Sequence, residues 1–144
     1  MKKSIRMARN LLQAYSEKCR PLCQEIGLPQ TAFNILLFLA NNPEFDTARD
    51  IVEARFIKAN LVSVNVECLV REGYLRREKS PGDRRKIRLV CTEKAAPVVE
   101  RGRQLQNRFT EELFRDVDGQ LKDDFFRVLG MMEDNLKEMQ KGRD

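Results

Sequence analysis

The 144 residues contain no histidine and no tryptophan, and their longest uninterrupted apolar run, from Ile35 to Ala40, is only six residues long. Without histidine there can be no Ser-His-Asp relay and no mixed Cys/His zinc site. The sequence also lacks a Gly-rich phosphate loop, a G-x-S-x-G elbow and a paired-carboxylate constellation, so nothing in it carries catalysis and it implies no cofactor. A six-residue apolar run is far short of the ~20 residues that a membrane span needs. Glycine and proline are sparse, seven and five, which leaves no room for a long flexible linker. The start, Met1-Lys2-Lys3-Ser4-Ile5-Arg6, opens like a signal peptide, but Arg9, Asn10, Gln13 and Glu17 interrupt any apolar core, and the expected location is cytoplasmic. Cys19, Cys23, Cys68 and Cys91 form no C-x-x-C; Cys19 and Cys23 share a helix face, and burial, redox sensing and metal binding stay open for them at this point.

What is present is charge in one place. Between Arg71 and Arg88 eight basic residues stand against three acids, a balance of +5 that equals the formal charge of the whole chain. Ser80-Pro81-Gly82-Asp83 lies in the middle and reads as a tight turn, since proline presets φ and glycine supplies a positive one. The flanking runs Tyr74–Arg77 and Ile87–Val90 partly alternate, as hairpin strands do. A cationic finger on a neutral body is suited to touching a polyanion.

Around it the chain is helical. Ile5, Ala8, Leu12, Tyr15, Cys19, Leu22 and Ile26 repeat at 3, 4, 3, 4, 3, 4, which predicts a long first helix with a kink or break near Lys18 to Arg20, ahead of Pro21. A second helix, Gln30 to about Ala40, is apolar on most sides and should be deeply buried. Thr47-Ala48-Arg49-Asp50 has the form of a capping box opening a short helix to about Arg55. Ala59 to Glu72 follows, with Val62, Val66 and Leu69 on one face and Asn60, Ser63, Val64 and Glu67 on the other; Gly73 closes it. Thr92 is expected to cap a helix running to about Arg115 with Pro97 in its first turn. The last helix carries Leu121, Phe125, Val128, Leu129, Met132, Leu136 and Met139. Both ends thus offer apolar stripes that one small body cannot bury, and the economical solution is a dimer.

These residues resemble the MarR family of bacterial regulators over nearly the whole chain. The resemblance is carried by Thr47-x-x-Asp50-Ile51, Leu61-Val62-Ser63, Val66-Glu67-x-Leu69, Gly73-Tyr74-Leu75, Pro81-Gly82-Asp83-Arg84-Arg85 and Leu89-x-x-Thr92, in the family's order. It implies a mainly α, α+β winged helix-turn-helix protein with a helical dimerisation region from both termini (1–28 and 95–144) and a DNA-binding lobe with a small β-hairpin wing at 29–94. It implies a triangular homodimer that binds double-stranded DNA. Lys58, Asn60, Ser63 and Val64 would lie on or at the recognition helix, Arg85 would reach the minor groove, Asp83 would aim its guanidinium, and Arg77 and Arg84 would lie near phosphates. Tyr15, Cys19 and Phe33 would line a cavity for a small aromatic or phenolic effector.

Departures from the family pattern are Val64 for Arg, Ser63 for Thr, Ala95 for Gly, Cys91 for Leu, and Arg55 for a core Leu, with Phe56 next door to fill the space. The implied function is a homodimeric repressor of palindromic operators released by a small ligand. One alternative is a thiol-based sensor of the same fold. Its usual reactive position corresponds to about Ile5, so Cys19 would have to serve, activated by Lys18 or Arg20. Another is a winged-helix protein-interaction module, which would show an apolar or acidic helix face and no cationic wing.

Overall fold

The computed structural model describes residues 1–141 and forms two compact units, Met1–Phe109 and a second beginning at Thr110. The elements are α1 (Lys2–Ile26), α2 (Gln30–Asn41), α3 (Ala48–Arg55), α4 (Ala59–Arg71), β1 (Leu75–Ser80), β2 (Asp83–Cys91), α5 (Ala95–Leu113) and α6 (Gly119–Lys141). The last three residues of the expected dimerisation segment, 142–144, lie outside the described residues.

In the first unit α2 is the core. Phe33, Ile35, Leu36, Leu37 and Leu39 are buried on it, and they join Cys19 and Leu22 of α1, Ile51 of α3, Val62, Val66 and Leu69 of α4, and Val98 and Val99 of α5 in one cluster. The near-continuous apolar sequence of α2 requires such burial on most of its circumference. Gly102 lets α5 pack closely there: a Cβ at that position would stand 2.5 Å from Cδ2 of the buried Leu37. Arg101 of α5 forks onto Glu25 of α1 through Nη1 and Nη2 at 2.9 and 2.6 Å, and Arg103 Nε donates to Asn41 Oδ1 at 2.8 Å.

α1 does not break before Pro21; it runs as one helix from Lys2 to Ile26. Proline removes a single i→i−4 bond, and burial of Cys19, Leu22 and Cys23 on either side of it holds the helix together. Only this C-terminal half of the heptad stripe is covered, because Ile5 and Leu12 are exposed.

The helix-turn-helix forms as its caps dictate. Thr47 Oγ1 accepts from Asp50 N at 3.1 Å, and Asp50 Oδ2 accepts from Thr47 N at 2.9 Å. Gly73, at φ +80°, ends α4 with Tyr74 N donating to Leu69 O at 2.8 Å. Phe56 departs from expectation: it adopts a left-handed φ of 52° at the end of α3 and stands 80% exposed, so it fills no space beside Arg55. The left-handed turn that redirects the chain into α4 carries its side chain outward.

β1 and β2 pair antiparallel from Leu75↔Cys91 to Ser80↔Asp83, with an irregularity at Lys79/Ser80. Pro81 and Gly82 form the two-residue loop, and Gly82 takes φ +89°, a value that favours glycine. Proline followed by a positive-φ glycine is the type II pattern, which splays strands; the register irregularity beside it absorbs that mismatch. Thr92 does not cap α5 with its side chain. Its hydroxyl donates to Gly73 O at 2.5 Å and ties the end of the hairpin to the end of α4.

In the second unit Asp118 Oδ2 accepts from Gln120 N at 3.0 Å and opens α6. Phe114, Phe125 and Phe126 cluster with ring centroids 5.3–5.5 Å apart. No residue of α6 is buried, and its stripe of Leu121, Phe125, Val128, Met132, Leu136 and Met139 faces solvent.

Candidate nucleic-acid interface

α4 is amphipathic in the required sense. Val62, Val66 and Leu69 hold it to the core while Asn60, Ser63, Val64 and Glu67 are exposed on the opposite side. Lys58 precedes its first residue without any side-chain cap on the N-terminal amides. Asn65, which drew no attention in the sequence, is buried because its Nδ2 donates to Leu61 O at 2.8 Å within the helix.

The hairpin's charge is sorted by position. At its base Arg77 Nη2 meets Glu67 Oε2 at 3.0 Å, Arg76 Nε meets Glu78 Oε1 at 2.7 Å, and Arg88 Nε meets Asp46 Oδ2 at 2.6 Å. At its tip Lys79, Arg84, Arg85 and Lys86 make no ion pair among the described residues. The tip therefore carries the free positive charge. Arg77, expected near phosphates, pairs with Glu67 of α4 in the free chain and braces β1 against that helix. Asp83 Oδ1 accepts from the backbone N–H of Arg85 at 2.9 Å, fixing the turn's backbone.

Asp46 is the residue that sequence reasoning missed. Besides pairing with Arg88 it accepts Leu89 N on its carbonyl at 2.6 Å, and its own amide donates to Asp50 Oδ2 at 3.1 Å. β2 is thereby pinned to the cap of α3. Burial disfavours the Asp50 carboxylate, but the hydroxyl and amide of Thr47, the amide of Asp46 and the charge of Lys86 outweigh it and hold the pKa below its ordinary value.

A cavity of about 400 Å³ opens between α3, α4 and the hairpin, with Val62, Ser63, Val66, Arg77, Ile87 and Leu89 in its walls. Tyr15, Cys19 and Phe33 lie elsewhere in the same unit. Phe33 and Cys19 have no exposed surface. Tyr15 is half-buried; its hydroxyl accepts from Gln106 Nε2 at 3.1 Å and its ring meets Phe109 edge-on, and burial pushes its pKa up to about 12.

All four cysteines are free thiols. Burial raises Cys19, and burial together with the neighbouring Cys19 raises Cys23 to about 11. Lys18 and Arg20 therefore do not activate Cys19, because desolvation of the thiolate dominates. Among the described residues no cluster could hold a metal ion. Both buried thiols should react with an alkylating reagent at neutral pH far more slowly than free cysteine, and at ordinary rates once urea unfolds the chain. Native-state rates equal to free cysteine would contradict this burial.

Residues 26–86 match the MarR family model. The match spans the helix-turn-helix and most of the hairpin. Solved structures of MarR-type regulators superpose on nearly all of the chain. One from Methanosarcina mazei has a TM-score of 0.82 at 19% identity, covering 96% of this chain and 99% of that one. A MarR protein from Peptoclostridium difficile gives 0.81 at 20%, covering 94% and 88%, and a MarR-family regulator from Silicibacter pomeroyi gives 0.74 at 21%, covering 90% and 86%. No match is found among curated proteins. At these identities the structural likeness establishes the fold, six helices and a two-stranded wing. In that fold the β1–β2 hairpin is the wing and α4 is the second helix of the helix-turn-helix.

Proposed function

We propose that the chain is a DNA-binding transcriptional regulator, a homodimeric repressor of inverted-repeat sites that a small ligand releases. The observation that carries the reading is the free charge of Lys79, Arg84, Arg85 and Lys86 at the hairpin tip, on the lobe that exposes Asn60, Ser63 and Val64 on α4. α4 enters the major groove, where Asn60 and Ser63 hydrogen-bond base edges and Val64 meets a thymine methyl. Arg85 enters the adjacent minor groove and Arg84 contacts phosphate; A/T-rich flanks narrow that groove and strengthen its pull on a guanidinium. Lys58 lies beside the open amides of the α4 N-terminus, a favourable place for a phosphate.

Dimerisation is supported by the uncovered stripes of α1 and α6 and by their charge. Residues 1–12 carry four basic residues and no acid, whereas residues 110–141 carry nine acids and five bases. A second copy offers each the opposite sign. The 400 Å³ cavity is of ligand size and touches both Ser63 and Arg77; an occupant there bears on helix and wing together and shifts the dimer toward the state it prefers. Tyr15, packed against the core cluster that holds Cys19 and Phe33, is a second place for an aromatic effector.

The test is binding to inverted repeats with half-sites about one helical turn apart. Affinity should fall with salt at a log–log slope of several units. Arg85→Ala should weaken binding by roughly 1–3 kcal/mol, and the loss should shrink when A/T flanks are replaced by G/C. Indifference to salt and to half-site spacing would overturn the reading.

A further inference from the structure

A cleft of about 510 Å³ separates the first turn of α3 from β2, with Thr47, Arg49 and Asp50 on one wall and Asp83, Arg85 and Lys86 on the other. Its two carboxylates are turned to local partners. Asp50 Oδ2 accepts from the amides of Asp46 and Thr47 and from the Thr47 hydroxyl at 2.7 Å, and Asp83 Oδ1 accepts from the Arg85 amide. Arg49 and Lys86 are drawn electrostatically to Asp50 without an ion pair to it. Arg85 and Lys86 make no ion pair among the described residues, and the ion pair of Arg49 is with Glu53, at 2.8 Å, the two side chains being 85% and 62% exposed. A pair so open to water is weak and readily exchanged.

We infer that this cleft holds one phosphodiester of the DNA backbone, clamped by Arg49 from α3 against Lys86 from the wing, with Glu53 competing for Arg49 in the free protein. The inference rests on the DNA-binding reading above and extends it to α3. Guanidinium forks suit phosphate oxygens in the geometry they offer carboxylates, so Arg49 exchanges Glu53 for phosphate without a new conformational demand. Arg49 also borders the cavity beside Ser63 and Arg77, which puts it between the recognition helix and the wing. Its contact is to backbone, so it adds affinity and fixes the register of the lobe without reading sequence.

The test is fluorescence anisotropy of the full chain on a labelled random-sequence duplex of about three helical turns, roughly 30 bp, and on the same duplex with A/T-rich flanks. Wild-type protein that binds neither duplex defeats the DNA-binding reading itself. Where wild type binds, Arg49→Gln should weaken both complexes by the same factor, about 3–10-fold near 0.1 M salt, and lower the log–log salt slope by about one. Glu53→Gln should tighten wild-type binding and have no effect in the Arg49→Gln background. Wild-type affinity and slope in Arg49→Gln, a loss confined to one duplex, or a Glu53→Gln effect that is the same in both backgrounds overturns the proposal.

Discussion

Leu136→Asp is expected to convert a dimer into a monomer and to cut affinity for an inverted-repeat site by about 10²–10⁴-fold, the advantage that linking two binding modules confers. Leu136 is 53% exposed in the single chain and sits on a helix with no buried residue, so the substitution does little to the chain alone. In a seam between copies it would place a carboxylate on the apolar stripe of Phe125, Val128, Met132 and Met139, away from water. Sedimentation at micromolar concentration should give twice the 16.8 kDa chain mass for wild type and the single mass for the variant. A monomeric wild type, or a variant that stays dimeric with full affinity, would count against the seam. Lys137→Asp, one position along on the same helix but outside the apolar stripe, should leave the mass at the dimer value.

Phe33→Ala should destabilise the fold by about 3–5 kcal/mol, the range for emptying an aromatic site in a packed core. The side chain has no exposed surface and lies among the residues of α1, α3, α4 and α5 that α2 gathers into one cluster. The midpoint of thermal unfolding should drop by roughly 10–20 °C for a chain of this size, measured at one protein concentration because dimerisation adds to apparent stability. The same experiment separates two roles for this residue. A side chain lining an open ligand cavity would be lost at little cost to the free protein, so a change below about 1 kcal/mol would favour that role over packing.

The elements legible in the sequence share a physical range. The Thr47–Asp50 capping box, the Gly73 helix stop and the Pro81-Gly82 loop all depend on bonds or dihedrals within a few residues, and composition there is enough to specify them. Helical periodicity likewise distinguished the buried face of α4, with Val62, Val66 and Leu69, from the exposed face carrying Asn60, Ser63 and Val64. The net charge of the hairpin was also plain, because it needs only counting.

What the tertiary structure decided depends on partners that spacing cannot name. Arg88 reaches Asp46 across 42 positions, and Arg77 takes Glu67 across ten, so the arginines at the base of the hairpin are committed while those at its tip are free. Nothing in a run of arginines says which of them will meet a carboxylate. Thr92 looked like a helix cap, yet its hydroxyl is drawn to the carbonyl of Gly73, which folding brings beside it. Phe56 and Cys19 show the same dependence on surroundings. A left-handed turn carries the aromatic ring into solvent, and burial raises the pKa of the thiol although basic residues flank it in sequence. Sequence alone determined which segments are helix, strand and turn, because those preferences are local; burial and pairing were decided by the fold, because both are properties of surfaces brought together from distant parts of the chain.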